Sequence, residues 1–423
     1  MSSSVASHPL SPRREFATLL ALAAVQFTHI VDFMIMMPLG SQLMRQFDIT
    51  PAQFSHLVAS YGLAAAVSGL AGGFFLDRYD RKRALLVLYT GFGLATLACA
   101  LAPTHYALLA ARLAAGAFGG LAGSMVTAMV GDIIPPERRG RAMGTVMSAF
   151  PIASVLGVPA GLVLAERFGW HAPFYFLAAC SVTVLALGAF ALPHLRTAVH
   201  HANPWQQMRE IVTHRVHLRA FAVAATLVLA GGCLIPFVAP SLVANVGITE
   251  KQLPWAYAAG GVCTFVTMPL VGRLSDRVDK LALLTWMSVA SAVVSIVFTQ
   301  LGPSPLWLVC VLMALFMVTM SSRFTPAMTM VTNAVEARYR GGFMSVSTAL
   351  QQAASGLANL VAGLFVARDA AGRLAGMPAL GYVAVGFFAL SVWLATKLRD
   401  AAPHVSAPAA KLAAVAASPK AAA

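Results

Sequence analysis

Long apolar runs separated by short polar loops cover the chain from residue 16 to residue 397. Several runs approach the roughly 20 residues that cross a bilayer core. Twelve helices are predicted, at 16–39, 53–76, 84–102, 105–131, 142–165, 172–192, 218–243, 252–274, 281–300, 304–331, 342–366 and 377–397. They are helices because lipid offers backbone groups no partner, and only a helix satisfies its own. The longest polar connection, 193–217, holds His200, His201, Pro204, Trp205 and Arg209 and divides the helices into two sets of six. The pattern therefore predicts an all-α membrane protein with an N-tail over 1–15, six-helix bundles over 16–192 and 218–397, a linker over 193–217, and a tail over 398–423. From residue 401 the tail is Ala/Pro/Lys low complexity, a composition expected to be disordered. Phe16–Leu39 follows Arg13 and Arg14 as a signal core would, but it is too long and carries Asp32, so it is expected to persist as the first span.

The two sets of helices repeat each other. Residues 73–83 read Gly-Phe-Phe-Leu-Asp-Arg-Tyr-Asp-Arg-Lys-Arg, and 199 positions on stands Gly272-Arg-Leu-Ser-Asp-Arg-Val-Asp-Lys280. Each copy lies between two apolar runs. Asp132-Ile-Ile-Pro-Pro-Glu-Arg-Arg-Gly-Arg-Ala-Met, after the fourth run, matches Asn333-Ala-Val-Glu-Ala-Arg-Tyr-Arg-Gly-Gly-Phe-Met, after the tenth, at an offset of 201. Repeats at nearly one offset predict a six-plus-six duplication with two pseudo-symmetric bundles.

Composition agrees. Charged residues make up 10% and hydrophobic residues 59% of the 423 positions, against about 25% charged in a soluble domain. The net charge of +14 is spread through short loops, not gathered into a nucleic-acid patch. With both ends cytoplasmic, 22 of the 29 Lys and Arg fall on the cytoplasmic face, five (Arg45, Arg167, Lys251, Arg368, Arg373) on the other, and Arg112 and Arg323 within spans. That asymmetry predicts cytoplasmic termini, and the expected location is a bacterial inner membrane. The five cysteines, all in apolar runs without metal spacing, read as small core residues. No phosphate-cradling Gly loop, Ser/His/Asp set or metal-ligand cluster stands out, so neither an enzyme nor a cofactor is expected, nor transport driven by ATP.

These motifs resemble the major facilitator superfamily, and within it the twelve-span drug:proton antiporters, over nearly all of residues 16–397. Gly73–Arg83 is similar to the family's loop between spans two and three, Gly-x-x-x-Asp-Arg-x-Gly-Arg-Arg/Lys, except that Asp80 stands at the second Gly and Asp279 at the same place in the second copy. Arg112-Leu-Ala-Ala-Gly-Ala-Phe-Gly-Gly resembles the span-four motif, whose Arg is implicated in proton coupling. Pro151 with Gly157-Val-Pro159-Ala-Gly161 resembles a shortened span-five antiport motif. The resemblance implies a gate in which Asp77 meets the start of span eleven near Gly341 and Gly342, while Arg78 and Arg81 pair with Asp132. Asp276 and Arg277 repeat this acid–base step in the second half.

Apart from His, only Asp32, Arg112 and Arg323 are ionisable well inside spans. Each needs a partner, water or a shifted proton affinity, because burying a charge is costly. Asp32 and Arg112 both lie about 10 Å from the outer ends of their spans at 1.5 Å per residue. They can pair if spans one and four both face the cavity, as the resemblance implies. Arg323 lies roughly 12 Å from the inner end and is not expected to share their site. Asp32 reads as a proton carrier or as a structural partner of Arg112, and His29, one turn earlier, as a proton relay or a packing residue. Arg323 reads as a packing cation, a holder of an anionic substrate group or a coupling element. Phe33, Met36, Met129, Arg323, Gln351, Gln352 and Asn359 are the candidate cavity residues, since Met and aromatic side chains suit varied apolar ligands. The chain is expected to be a monomer that exports small amphipathic compounds against protons. A sugar or amino-acid efflux permease, an uptake symporter and a transport-dead scaffold are the alternatives.

Overall fold

A computed structural model describes residues 11–75, 79–193, 204–336 and 339–408. In chain order its α-helices are α1 Pro12–Ile35, α2 Gly40–Gln46, α3 Pro51–Phe75, α4 Arg81–Ala100, α5 His105–Ile133, α6 Pro136–Met147, α7 Ala149–Ile152, α8 Val158–Phe168 and α9 Ala172–Ala191 in the first half. The linker helix α10 Pro204–Thr213 leads to α11 Arg215–Gly232, α12 Ile235–Ser241, α13 Leu253–Arg277, α14 Lys280–Thr299, α15 Leu306–Ser322, α16 Phe324–Asn333, α17 Arg340–Phe365 and α18 Met377–Ala401. A small antiparallel hairpin pairs Ala367–Arg368 with Leu374–Ala375. Eleven helical segments are long and apolar enough to cross a membrane. The twelfth, α17, is 26 residues long, about 39 Å at 1.5 Å per residue. Its Ser, Thr, Gln and Asn content makes it more polar than the others, as suits a helix enclosed by protein.

The duplicated loops start their helices in the same way. Asp80 caps α4, its Oδ1 accepting from the Arg83 amide at 2.9 Å. Asp279 caps α14, accepting from the Ala282 amide at 2.9 Å. An Asp at this position satisfies an amide that has no partner inside the helix, which explains why an acid serves where a Gly was expected. Four predicted spans are interrupted. Span one breaks at Met36–Leu39 around Pro38, and span seven breaks between α11 and α12 just before Pro236. Pro38 and Pro236 are 198 positions apart, so the break belongs to the duplication. Span ten breaks at Arg323, three residues before Pro326, where the missing proline N–H leaves the Ser322 carbonyl without its helical partner. Span five carries a π turn at Ala153–Gly157, in which the Val158 amide bonds the Ala153 carbonyl, immediately before Pro159.

The halves meet along two lines. α3 lies against α17: a Cβ at Gly62 would stand 3.0 Å from the Gln352 carbonyl oxygen, one at Gly356 2.6 Å from Leu63, and one at Gly363 2.6 Å from Ser55. The π turn of span five lies against α13, where a Cβ at Gly261 would stand 2.9 Å from the Ser154 carbonyl oxygen. Small residues at such crossings let backbones approach closely. Both lines cover the middle and the face opposite the chain ends. The contacts between the halves close the far face.

Candidate transport site

The Gly-rich stretch of α5 places the first candidate pair. A Cβ at Gly116 would strike the Tyr61 backbone, one at Gly119 would lie 2.6 Å from the Tyr61 hydroxyl and 2.7 Å from the His29 ring, and one at Gly120 would lie 2.7 Å from Ala65. These glycines seat α5 directly on α3 and carry Arg112 across to α1. There Arg112 Nη1 donates to Asp32 Oδ2 at 2.7 Å and to the Asp32 carbonyl oxygen at 3.3 Å. Thr96 of α4 donates to Asp32 Oδ1 at 3.3 Å. The guanidinium stacks over the Tyr61 ring at 4.5 Å. Neither charged side chain has any exposed surface. The depth arithmetic therefore pairs the right residues, and Arg323 stands elsewhere.

Around this pair are polar atoms with no hydrogen-bond partner: Arg112 Nε and Nη2, both ring nitrogens of His29, the Tyr61 hydroxyl and Gln26 Oε1. His29 packs against Tyr61, with ring centroids 5.8 Å apart, and against Phe92 at 6.1 Å. A buried polar atom without a partner costs about 1–3 kcal/mol. Several together mark a place where a proton, a water or another polar group has a use. Tyr61 and Thr96 belong to the site but escape the sequence reading. A lone Tyr within span two was the available signal for the first, and nothing marked the second among many hydroxyls.

At the terminal end of the first half, Arg81 Nε meets Asp132 Oδ2 at 3.0 Å, the contact expected of the gate. Asp77 and Arg78 lie outside the described residues, and Gly73 is described only as part of the α3 backbone. The second half replaces this pair. Lys280 stands where Arg81 does, but Asn333 replaces Asp132. Lys280 Nζ instead donates to the Ala407 carbonyl oxygen, and His404 bonds the Asn333 carbonyl oxygen at 3.1 Å, so Pro403–Ala407 closes this end of the bundle. Asp276 and Arg277 form no ion pair among the described residues.

The candidate cavity residues separate. Met129 is fully buried in a core cluster confined to the first half, with Leu22, Val126 and Val130, so it packs a bundle and does not line a space between bundles. Met36 is fully buried in the cluster that joins the halves at the far face. Phe33 is half-buried against Tyr61, ring centroids 5.4 Å apart. Gln351 and Gln352 are half-buried on α17, and Gln351 donates to Ser347 at 3.3 Å. Asn359 is buried with neither amide atom bonded. Pro151 is half-buried before the π turn, and Gly157 and Gly161 let span five lie on Val31 and Ile35 of α1.

The far face is held by contacts between halves that the sequence did not suggest. Arg45 pairs with Glu250, Gln42 donates to Glu250 at 3.0 Å, and Lys251 lies 3.4 Å from Glu166. Beneath them α2 packs on α12, where a Cβ at Gly40 would be 2.8 Å from Pro240.

Two pseudo-symmetric six-helix bundles, joined at the far face, with an ion pair sealed inside one of them, define a polytopic membrane transporter. The chain belongs to the Major Facilitator Superfamily, whose family model matches residues 22–231 and again residues 220–422, once for each half. An MFS-type transporter of Bacillus subtilis, YceJ, is 27% identical over 60% of this chain and 65% of its own length, so the chain spans just under two thirds of that relative. A chloramphenicol efflux pump of Mycobacterium tuberculosis is 25% identical over 68% of this chain and 69% of its own length. A bacterial homologue of the human lysosomal transporter Spinster, in an inward-facing and occupied conformation, superposes with a TM-score of 0.74 at 18% identity, covering 94% of this chain and 99% of that one. At that identity the likeness is one of fold.

Proposed function

We propose that this transporter exports small amphipathic compounds from a bacterial cytoplasm across the inner membrane in exchange for protons, acting as a monomer with cytoplasmic ends and without a cofactor or catalytic step. The sealed Asp32–Arg112 pair carries this reading. A carboxylate held by one guanidinium, with Thr96 and Tyr61 at hand and His29 beside it, can take up a proton, which breaks the ion pair and leaves the Arg112 cation to the Tyr61 ring and the Asp32 carbonyl oxygen. Its counterpart positions in the second half are Ala230 and Met313, at the offsets of the repeats, so the chemistry is confined to one half. The latched far face is one end state of an alternating-access cycle. The relatedness to an efflux pump supports export.

The test uses inside-out vesicles with an acidic interior, to which lipophilic cations, antibiotics, organic acids, sugars and amino acids are added in turn. Proton release on addition of a compound, lost in Asp32→Asn at equal protein level, is expected. Release driven only by sugars or amino acids would move the reading to metabolite efflux. Silence across the panel with folded protein would remove it.

A further inference from the structure

Arg323 is the one guanidinium among the described residues that has no exposed surface and no carboxylate against it. Its Nη2 lies 3.2 Å from the Met320 sulfur, and Phe388 covers one face of the group at 4.2 Å. Nε and Nη1 have no partner. A thioether and an aromatic face offset only part of what it costs to enclose a cation. Arg112, equally buried, has the carboxylate that Arg323 lacks.

The Ser322 hydroxyl, adjacent in sequence at the break between α15 and α16, is a further donor without a partner. A Cβ at Gly231 of α11 would lie 3.9 Å from the Met320 sulfur. The rest of the lining is apolar: Met313, Phe316, Met320 and Phe388 belong to one buried cluster. The break at Arg323 is where span ten can flex, because the Ser322 carbonyl there has lost its helical donor to Pro326.

We infer that the second half binds the carboxylate of a small organic monoanion at Arg323, with Ser322 as a further donor and the Met and Phe side chains receiving its apolar body. One fixed cation, with no acid near it, selects a single negative charge. A cationic ligand meets repulsion there, and a neutral one leaves the guanidinium unpaired. This deepens the proposed function by naming its substrate class, and it rests on that reading only for the direction of movement.

The purified full-length chain in detergent is melted with benzoate, with its uncharged counterpart benzamide, and with chloride, in the absence of any proton gradient. Benzoate is expected to raise the melting midpoint in a saturable way and benzamide to leave it unmoved. Arg323→Gln should lose the benzoate shift and Arg323→Lys should keep a weaker one. Equal shifts with benzamide, no shift with benzoate, or a full shift in Arg323→Gln overturns the inference. Chloride that saturates the shift and leaves nothing for benzoate to add also overturns it, by making the anion a resident inorganic counter-ion. If Arg323→Gln does not fold, the benzoate–benzamide–chloride comparison on the unaltered chain, together with Arg323→Lys, still decides. Because nothing is transported, saturable benzoate binding by a chain that fails the vesicle assay would sink the exporter and leave the site standing.

Discussion

Removing the charge of Asp32 leaves Arg112 as an enclosed cation with only an aromatic ring and a backbone carbonyl beside it. Breaking one side of a buried pair costs about 3–5 kcal/mol, whereas removing both sides is often close to neutral. Asp32→Asn and Arg112→Gln are therefore each expected to lower the melting midpoint of the purified protein, and the double variant to lose less than their sum by more than about 1 kcal/mol. Strictly additive losses would show that the pair is not energetically coupled. The glycines that bring the pair together are under a steric demand of the same kind. Gly116 sits on the Tyr61 backbone, which cannot step aside, while Gly131 on the same helix faces open space. Gly116→Ala is expected to destabilise by about 1–3 kcal/mol, the usual cost of overpacking, and Gly131→Ala to be neutral or slightly stabilising by its helix propensity. Thermal melts of the two variants side by side check this, and equal midpoints would contradict the close α3–α5 packing.

The elements whose irregularities matter most are the interrupted spans. In span five Pro159 has no amide to give the Val155 carbonyl, and the chain takes a π turn whose backbone lies against Gly261 of α13. Pro159→Ala returns that amide and lets the segment wind as a regular helix, which rotates α8 relative to α13. The expected result is a folded protein of unchanged or higher melting temperature with transport reduced at least several-fold in the vesicle assay. Unchanged transport would mean that the π turn is incidental to the meeting of the halves. This element also shows where sequence reading stops. The twelve spans were legible to within a few residues because apolar length and charged loops define them, and the duplication was legible in Asp80 and Asp279, both of which cap helices. The Asp32–Arg112 partnership followed from equal depth together with the family resemblance, which implies that spans one and four face each other. The form of each break could not, because a proline permits a kink, a π turn or a gap, and packing chooses among them. Met129 misled because a methionine on a transport helix looks the same from the sequence whether it faces the bundle core or the central cavity.

For the whole molecule, the question is what keeps the far face shut. Arg45–Glu250, Gln42–Glu250 and Glu166–Lys251 bridge the halves from partly exposed side chains. Such exposed pairs are each worth about 0–1 kcal/mol. They act as a latch weak enough to release on thermal motion, above the apolar contact of α2 with α12. A cycle that requires the far face to open must break all three, so a covalent bond across them should stop it. Gln42→Cys/Glu250→Cys, treated with a short bifunctional methanethiosulfonate, is expected to lose transport in the vesicle assay and regain it on reduction. The unaltered chain, whose exposed Cys263 is the reagent's alternative target, should be unaffected. Glu250→Ala tests the same latch from the other side. Losing two of the three bridges favours the opened far face, so a cysteine introduced at Ser41, which is buried here, should react with a membrane-impermeant maleimide faster than in the parent. If the cross-linked protein keeps transporting at the full rate, the far face does not open during turnover, and the two-ended cycle built on this structure fails with it.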